Sequence, residues 1–285
     1  MTLRPYSHQP LSTETLAMPA PTNGYALITG ASQGLGAAIS LELARQGFGV
    51  IVTARSEAEL RTVCDEAAAL NGGHAHALVA DLWATDGVDR IVHFIASKDL
   101  PLTCLVNNAG QGLWGLFDQL TLEDQQRMMQ LNMSVPVALT HRLLPQLKAA
   151  KHGYVLNIAS MIAHHALASM AIYSGSKAFI LHWSRSLRLE LKNSSVKVTC
   201  CSPGSVITGF TARAGMQAMD DLAKKFGSAP GPVAKAAVAA MLSGKAEVIP
   251  GLVNRITSGL QGLLPTGLNE SLVSGIYLKR LPAKS

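Results

Sequence analysis

The sequence predicts an α/β fold built on a doubly wound parallel sheet of about seven strands, with helices on both faces. Three observations predict it. Short β-rich apolar runs alternate with amphipathic stretches along most of the chain, the pattern of repeated βαβ units. The runs are continuously apolar rather than alternating, as expected of strands covered on both faces. The first run leads through a glycine-rich turn into a helix. Hydrophobic residues make up 48% of the 285 residues and charged ones only 15%, which excludes a disordered chain.

The elements follow in order. Tyr25–Thr29 reads as a strand, followed by the glycine turn and a helix through about Gln46. Gly49–Thr53, rich in β-branched residues, is the second strand, and Glu57–Leu70 the next helix. Ala75–Ala80 is a third strand, Val88–Ser97 a helix, and Cys104–Val106 lies in a fourth strand. One long helix is expected over Leu122–Lys148. Tyr154–Ile158, a helix over Tyr173–Lys192, Lys197–Cys201 and a weaker strand at Ala246–Ile249 complete the pattern. The simplest partition is a tail over 1–23, one domain over 24–252 and a Gly- and Leu-rich extension over 253–285. The tail carries Arg4, Glu14 and several prolines, with no apolar core of signal-peptide length.

The turn after the first strand reads Thr29-Gly30-Ala31-Ser32-Gln33-Gly34-Leu35-Gly36. Glycines at 30, 34 and 36 let backbone amides approach a pyrophosphate, and the helix N-terminus favours its charge. In this strand–turn–helix context the turn predicts a Rossmann-type dinucleotide site. The end of the second strand, Val52-Thr53-Ala54-Arg55-Ser56, carries no acid. A carboxylate there would bind a ribose 2′-OH and repel a 2′-phosphate, whereas Arg55 can bind that phosphate. NADP(H) is therefore expected over NAD(H), unless Arg55 is only a solvated surface residue.

Tyr173-Ser174-Gly175-Ser176-Lys177 opens a helix, so Tyr173 and Lys177 share one face. A nearby ammonium favours the phenolate and would suit Tyr173 to proton transfer near neutral pH. Ser160 ends the fifth strand, on the side where open parallel sheets bind ligands. It lacks the G-x-S-x-G setting of a hydrolase nucleophile.

These segments together resemble the short-chain dehydrogenase/reductase family in its single-domain branch, over roughly residues 24–252. The matching stretches are TGASQGLG from Thr29, DL at Asp81, NNAG from Asn107, LN at Asn132, Ser160, YSGSK from Tyr173 and PGSVIT from Pro203. The resemblance implies hydride transfer between NADP(H) and a carbonyl or secondary alcohol. Tyr173 would be the acid/base, Lys177 its partner and a ribose ligand, Ser160 the donor to the substrate oxygen, and Asn132 the holder of a relay water. Gly30, Ser32, Gln33, Gly34, Leu35 and Gly36 would cradle the cofactor, with Arg55 at its phosphate and Asp81 and Leu82 at its adenine. Asn107, Asn108 and the backbone of Ala109 and Gly110 would flank it. Pro203, Gly204, Val206 and Thr208 would sit beside the nicotinamide. A homodimer or homotetramer is implied as well.

The substrate side is less defined. Met161–Ile172 contains His164 and His165, which either line a pocket or are solvated. Gly209–Gly231 resembles the family's mobile lid, and its Phe210, Met216, Met219 and Phe226 suggest an apolar or acyl-bearing carbonyl, unless they serve the core. Val248–Leu252 and Leu263–Pro265 resemble broad-range bacterial reductases and long-chain ketoacyl reductases. The alternatives are a ketoacyl-type reductase working at a membrane surface and a catalytically silent cofactor-binding regulator.

The remaining features exclude other classes. A long stretch without Lys, Arg, Asp or Glu, Gly153–Ser176, holds too many polar groups for a membrane span. Cys64, Cys104, Cys200 and Cys201 lack metal spacing and read as free thiols of a reducing, cytoplasmic setting. No metal site is expected. The net charge of +6 has no nucleic-acid motif behind it. Met1–Ala212 holds 15 basic and 14 acidic residues, whereas Arg213–Ser285 holds nine and four. The excess therefore lies in the lid and extension, and suits an anionic substrate group, a membrane surface or a solvated tail.

Overall fold

Seven parallel strands form one sheet, in which the third, second, first, fourth, fifth, sixth and seventh along the chain lie side by side in that order. In this computed structural model, residues 21–251, 254–255 and 266–281 are described. The expected tail is therefore largely outside the described residues, as are Leu252 and Leu263–Pro265.

The first half comprises β1 (Tyr25–Thr29), α1 (Gly34–Arg45), β2 (Gly49–Ala54), α2 (Glu57–Asn71), β3 (Ala75–Val79), α3 (Gly87–Ser97) and β4 (Leu102–Asn107). The second comprises α4 (Leu122–Met129), α5 (Val135–Ala149), β5 (Gly153–Ile158), α6 (Ala171–Glu190) and β6 (Val196–Cys201). Then come α7 (Phe210–Arg213), α8 (Asp220–Phe226), α9 (Pro230–Leu242), β7 (Glu247–Val248) and α10 (Thr266–Leu278).

The central strands are buried on both faces, which explains their unbroken apolar runs. In β1, Ala26 and Ile28 face α1 and α9 in one core cluster with Leu43 and Val238. Tyr25 and Leu27 face the opposite cluster, with Ile91 and Ile95 of α3 and Leu139 and Leu143 of α5. The chain reverses direction of winding between β1 and β4. A crevice opens there beyond the carboxyl ends of the strands, the place where such sheets bind ligands.

The single helix expected over Leu122–Lys148 is broken. A π-helical turn, Gln130–Ser134, separates α4 from α5, and the Val135 N–H donates to the Gln130 carbonyl. Pro136 follows immediately. It has no N–H for the Asn132 carbonyl, and its ring crowds that carbonyl in a regular helix. The wider turn relieves the conflict, and such turns cluster at functional sites.

Gly36 has no room for a side chain, because an added Cβ would overlap the Gly30 carbonyl. Gly36→Ala is expected to destabilise the fold by more than about 2 kcal/mol, since backbone rather than a flexible side chain must give way. Urea unfolding of the variant against wild type checks this, and a loss below about 0.5 kcal/mol would refute it.

Candidate active site

The crevice is a cavity of about 580 Å³ reaching from the glycine turn to the start of α6. Its wall at one end is the turn itself. Gly30 and Gly34 adopt φ of +64° and +61°, left-handed values natural to glycine. A Cβ on Gly30 would meet Ala109 Cα at 2.9 Å, and one on Gly34 would meet Thr208 Cγ2 at 2.9 Å. The turn is thus held between β4 and the segment after β6. Asn108 secures it, with Nδ2 donating to the carbonyls of Thr29 (2.9 Å) and Gly30 (3.1 Å). The Thr29 hydroxyl accepts from the amides of Asn108 and Ala109, each at 3.0 Å. The first turn of α1 carries no acid, so its N-terminal field is uncancelled toward an anion.

Ser32, Gln33, Leu35, Arg55, Asp81, Leu82 and Gly110 line this cavity, as do Pro203, Gly204, Val206 and Thr208. Asp81 Oδ1 accepts from the Trp83 amide at 3.0 Å, which turns the chain after β3. Trp83 also lines the cavity, with the guanidinium of Arg55 at 4.2 Å from its ring centroid and that of Arg127 at 4.7 Å. Such contacts hold the cations in place. Asn107 is elsewhere. Rather than flanking the cavity, it is buried beneath it, donating to Thr140 Oγ1 (3.1 Å) and Asn157 Oδ1 (2.8 Å). Asn157 in turn donates to Ser184 Oγ at 2.9 Å. The strand alternation at the end of β4 sends successive side chains to opposite faces, so Asn107 goes under the site and Asn108 goes to the turn.

At the other end stand Ser160, Tyr173 and Lys177, all lining the cavity. Ser160, just after β5, accepts from the Ile162 amide at 3.3 Å and is near enough to the Tyr173 hydroxyl to lower its pKa. Lys177 Nζ donates to the Ile158 carbonyl at 2.9 Å and lies 5.9 Å from the Tyr173 ring centroid. Both residues are buried. Burial pushes the Tyr173 hydroxyl above the usual phenol range, with the Ser160 contact opposing it. Burial pushes Lys177 down to about 8. The expected lowering of the phenol by Lys177 is not seen in this set of side chains, where desolvation dominates and only Ser160 opposes it.

Asn132 does not line the cavity but stands just behind it. Its Oδ1 accepts from the Gln111 amide and its Nδ2 donates to the Gln111 carbonyl, both at 2.9 Å. Nδ2 also donates to Ser176 Oγ at 3.0 Å. A Cβ on Gly110 would lie 3.2 Å from Asn132 Oδ1 and 3.4 Å from Lys177 Nζ. The π turn thus brings Asn132 and Lys177 together across Gly110.

The substrate side is apolar. Leu167, Met170, Phe210, Met216, Val273 and Tyr277 line it. The Phe210 ring packs on Tyr173 with centroids 5.6 Å apart. The two histidines separate. His165 lines the cavity, whereas His164 Nε2 lies 3.2 Å from Glu247 Oε1, and Arg185 pairs with Oε2 of the same carboxylate. The extension contributes a roof. In α10, Glu270 Oε1 accepts from the Ala166 amide (2.9 Å) and Ser274 Oγ from the Ala168 amide (3.0 Å). Sequence reasoning missed Trp83, Val273 and Tyr277. Trp83 follows the Asp81-Leu82 pair directly and was findable from that spacing. Val273 and Tyr277 carry no local signal, because the docking of α10 alone brings them in.

No His, Cys, Asp or Glu cluster able to hold a metal is present among the described residues. No helix among them is long and apolar enough to cross a membrane.

The family model for short chain dehydrogenases matches residues 24–218. The ketoacyl reductase HetN of Nostoc sp. is 33% identical over 240 residues, covering 84% of this chain and 82% of the relative. The serine 3-dehydrogenase of Agrobacterium fabrum is 35% identical over 206 residues, 71% of this chain and 81% of the relative. A short-chain dehydrogenase from Sphingobium yanoikuyae, solved in complex with NADPH, superposes with a TM-score of 0.73 at 28% identity. That match covers 84% of this chain and 94% of the other. The chain belongs to the short-chain dehydrogenase/reductase family. It is an oxidoreductase of the carbonyl/alcohol class.

Proposed function

We propose that the protein interconverts an apolar carbonyl compound and its secondary alcohol with NADP(H). The observation that carries this reading is the convergence of Ser160, Tyr173 and Lys177 on one cavity whose far end is the glycine cradle with Arg55. The cradle fits a pyrophosphate, since side chains are excluded where it would lie and no acid opposes it. When bound, the cofactor supplies or accepts the hydride.

The chain's own residues handle the proton. Tyr173 Oη donates to the substrate oxygen as it gains charge in reduction, and takes the proton back in oxidation. Ser160 Oγ donates to that oxygen as a fixed dipole in a buried site. Lys177, held near 8 by burial, exchanges a proton near neutral pH and restores the one Tyr173 gives up. Asn132, tied to Gln111 and Ser176, is the positioning residue for a water that links Lys177 to solvent. Leu167, Met170 and Met216 exclude water from the reacting carbon and suit a ketone or aldehyde with an apolar body.

The test is a panel of acyl, steroid and small aromatic carbonyls followed by NADPH consumption, with NADH in parallel. Turnover of at least one apolar carbonyl is expected, with KM for NADPH at least about tenfold below that for NADH, a difference of about 1.4 kcal/mol. A preference for NADH overturns the cofactor reading, and silence across the panel supports the regulator instead. Three buried thiols and one half-buried one, all free, support a cytoplasmic setting. Exposed Phe117, Leu122, Met129 and Phe179 support a homo-oligomer joined through α4 and α6 and their approach.

A further inference from the structure

Helix α7, a single turn, contributes Phe210, Thr211 and Arg213 to the cavity lining. At its start Phe210 packs on Tyr173. One turn later Arg213 lines the same cavity, as does Arg55. A Cβ built on Gly209 would lie 2.8 Å from Arg213 Nη1 and 3.2 Å from Gln33 Oε1. The Arg213 guanidinium is therefore beside the glycine turn, although it is carried by the segment after β6. Arg55 enters from the end of β2, stacked on Trp83.

Two cations converging in one crevice repel each other unless an anion lies between them. Partial burial, and then the Arg55 charge, lower the pKa of the otherwise exposed Arg213, so its guanidinium lies in the field of Arg55. Neither makes an ion pair among the described residues. The only carboxylate lining the cavity among those residues is Asp81, whose Oδ1 is engaged by the Trp83 amide. The pair thus has the makings of a dianion site in which one cation is fixed to the sheet and the other rides on α7.

We propose that Arg213 is the second cation for the phosphate on the adenosine ribose, and that α7 thereby couples this phosphate to the substrate pocket. The inference rests on the NADP(H) reading above. A phosphate between Arg55 and Arg213 draws α7 toward the glycine turn. The same movement holds Phe210 against Tyr173 and keeps Met216, three residues past Arg213, in the apolar wall. The phosphate never touches the substrate, yet it sets the order of the pocket that receives it.

The experiment compares wild type, Arg213→Gln and Arg213→Lys as full-length protein. Calorimetry gives the affinities for NADPH, NADH and 2′,5′-ADP, and hydrogen exchange follows residues 206–226. Arg213→Gln is expected to lose about tenfold in affinity for NADPH and 2′,5′-ADP while NADH binding stays within twofold, the loss of one charge-assisted contact. Arg213→Lys is expected to recover part of it. In wild type, 2′,5′-ADP slows exchange over 206–226, and in Arg213→Gln it does not. Arg213 is exposed, so the variants are expected to keep the wild-type melting temperature. An unchanged NADPH-to-NADH ratio in Arg213→Gln, with wild type preferring NADPH, overturns the role of Arg213 alone. An equal loss for NADH does so too. Absence of NADPH preference in wild type overturns the cofactor reading beneath it.

Discussion

Tyr173→Phe is expected to lower kcat by at least about a thousandfold, within the range that a positioned proton donor contributes. The substitution removes one oxygen and leaves the ring, which packs with Phe210, Trp114, Met170 and Met216. Folding is therefore expected to persist, and melting temperature serves as the control. Dissociation constants for NADPH are expected to stay within about threefold, below 1 kcal/mol. The groups proposed to bind it on this side, Lys177 Nζ and the backbone around Gly110, are not held by the phenol. Lys177 donates to Ile158, and Asn132 holds the Gln111 backbone. Near-normal turnover in this variant would falsify the assignment of the acid/base. A large loss of cofactor affinity would instead make Tyr173 chiefly a binding residue.

Lys177→Met is expected to be inactive and yet more stable than wild type near neutral pH. Burial lowers the lysine from 10.5 to about 8 in the folded chain. Each pKa unit corresponds to about 1.4 kcal/mol, so a charged lysine here costs on the order of 3 kcal/mol. Losing the donor to Ile158 returns about 1 kcal/mol. The net gain is about 2 kcal/mol, or several degrees in melting temperature. The sign with pH follows from linkage. Below pH about 8 the lysine is charged in both folded and unfolded chains, and the burial penalty is fully present. Between about 8 and 10.5 the folded chain has released the proton and the unfolded chain has not, so wild-type stability from this group rises with pH. The advantage of the methionine variant therefore shrinks as pH rises through that window. Urea unfolding at several pH values reads this directly. A variant less stable than wild type at neutral pH would show that Lys177 supports the fold rather than straining it.

The parallel sheet and the glycine turn were legible because both depend on local pattern. A strand buried on two faces must be apolar throughout, and a turn that cradles phosphate must lack side chains, so β1 and Gly30, Gly34 and Gly36 announce themselves. The same holds for Tyr173 and Lys177, whose separation of four residues is a property of one helix. Other features depend on contacts that sequence spacing does not record. The break at Gln130–Ser134 reads as ordinary helix until the carbonyl that Pro136 leaves behind is considered. Asn107 and Asn108 are neighbours with opposite fates, decided by which face of β4 each occupies. Arg213 and Tyr277 reach the cavity from segments that no periodicity ties to it.

The roof made by α10 has a further consequence. Its inward residues Val273 and Tyr277 belong to a satellite cluster with Trp114 and Met216, apart from the two clusters that sandwich the sheet. It is tethered to the loop after β5 by two side chains that accept backbone amides, and to Ala218 by Arg280. Substitutions on its inner side therefore change the shape offered to a substrate while leaving the sheet and its packing untouched. Selection can retune what the enzyme accepts without first spending the stability of the domain that performs the chemistry.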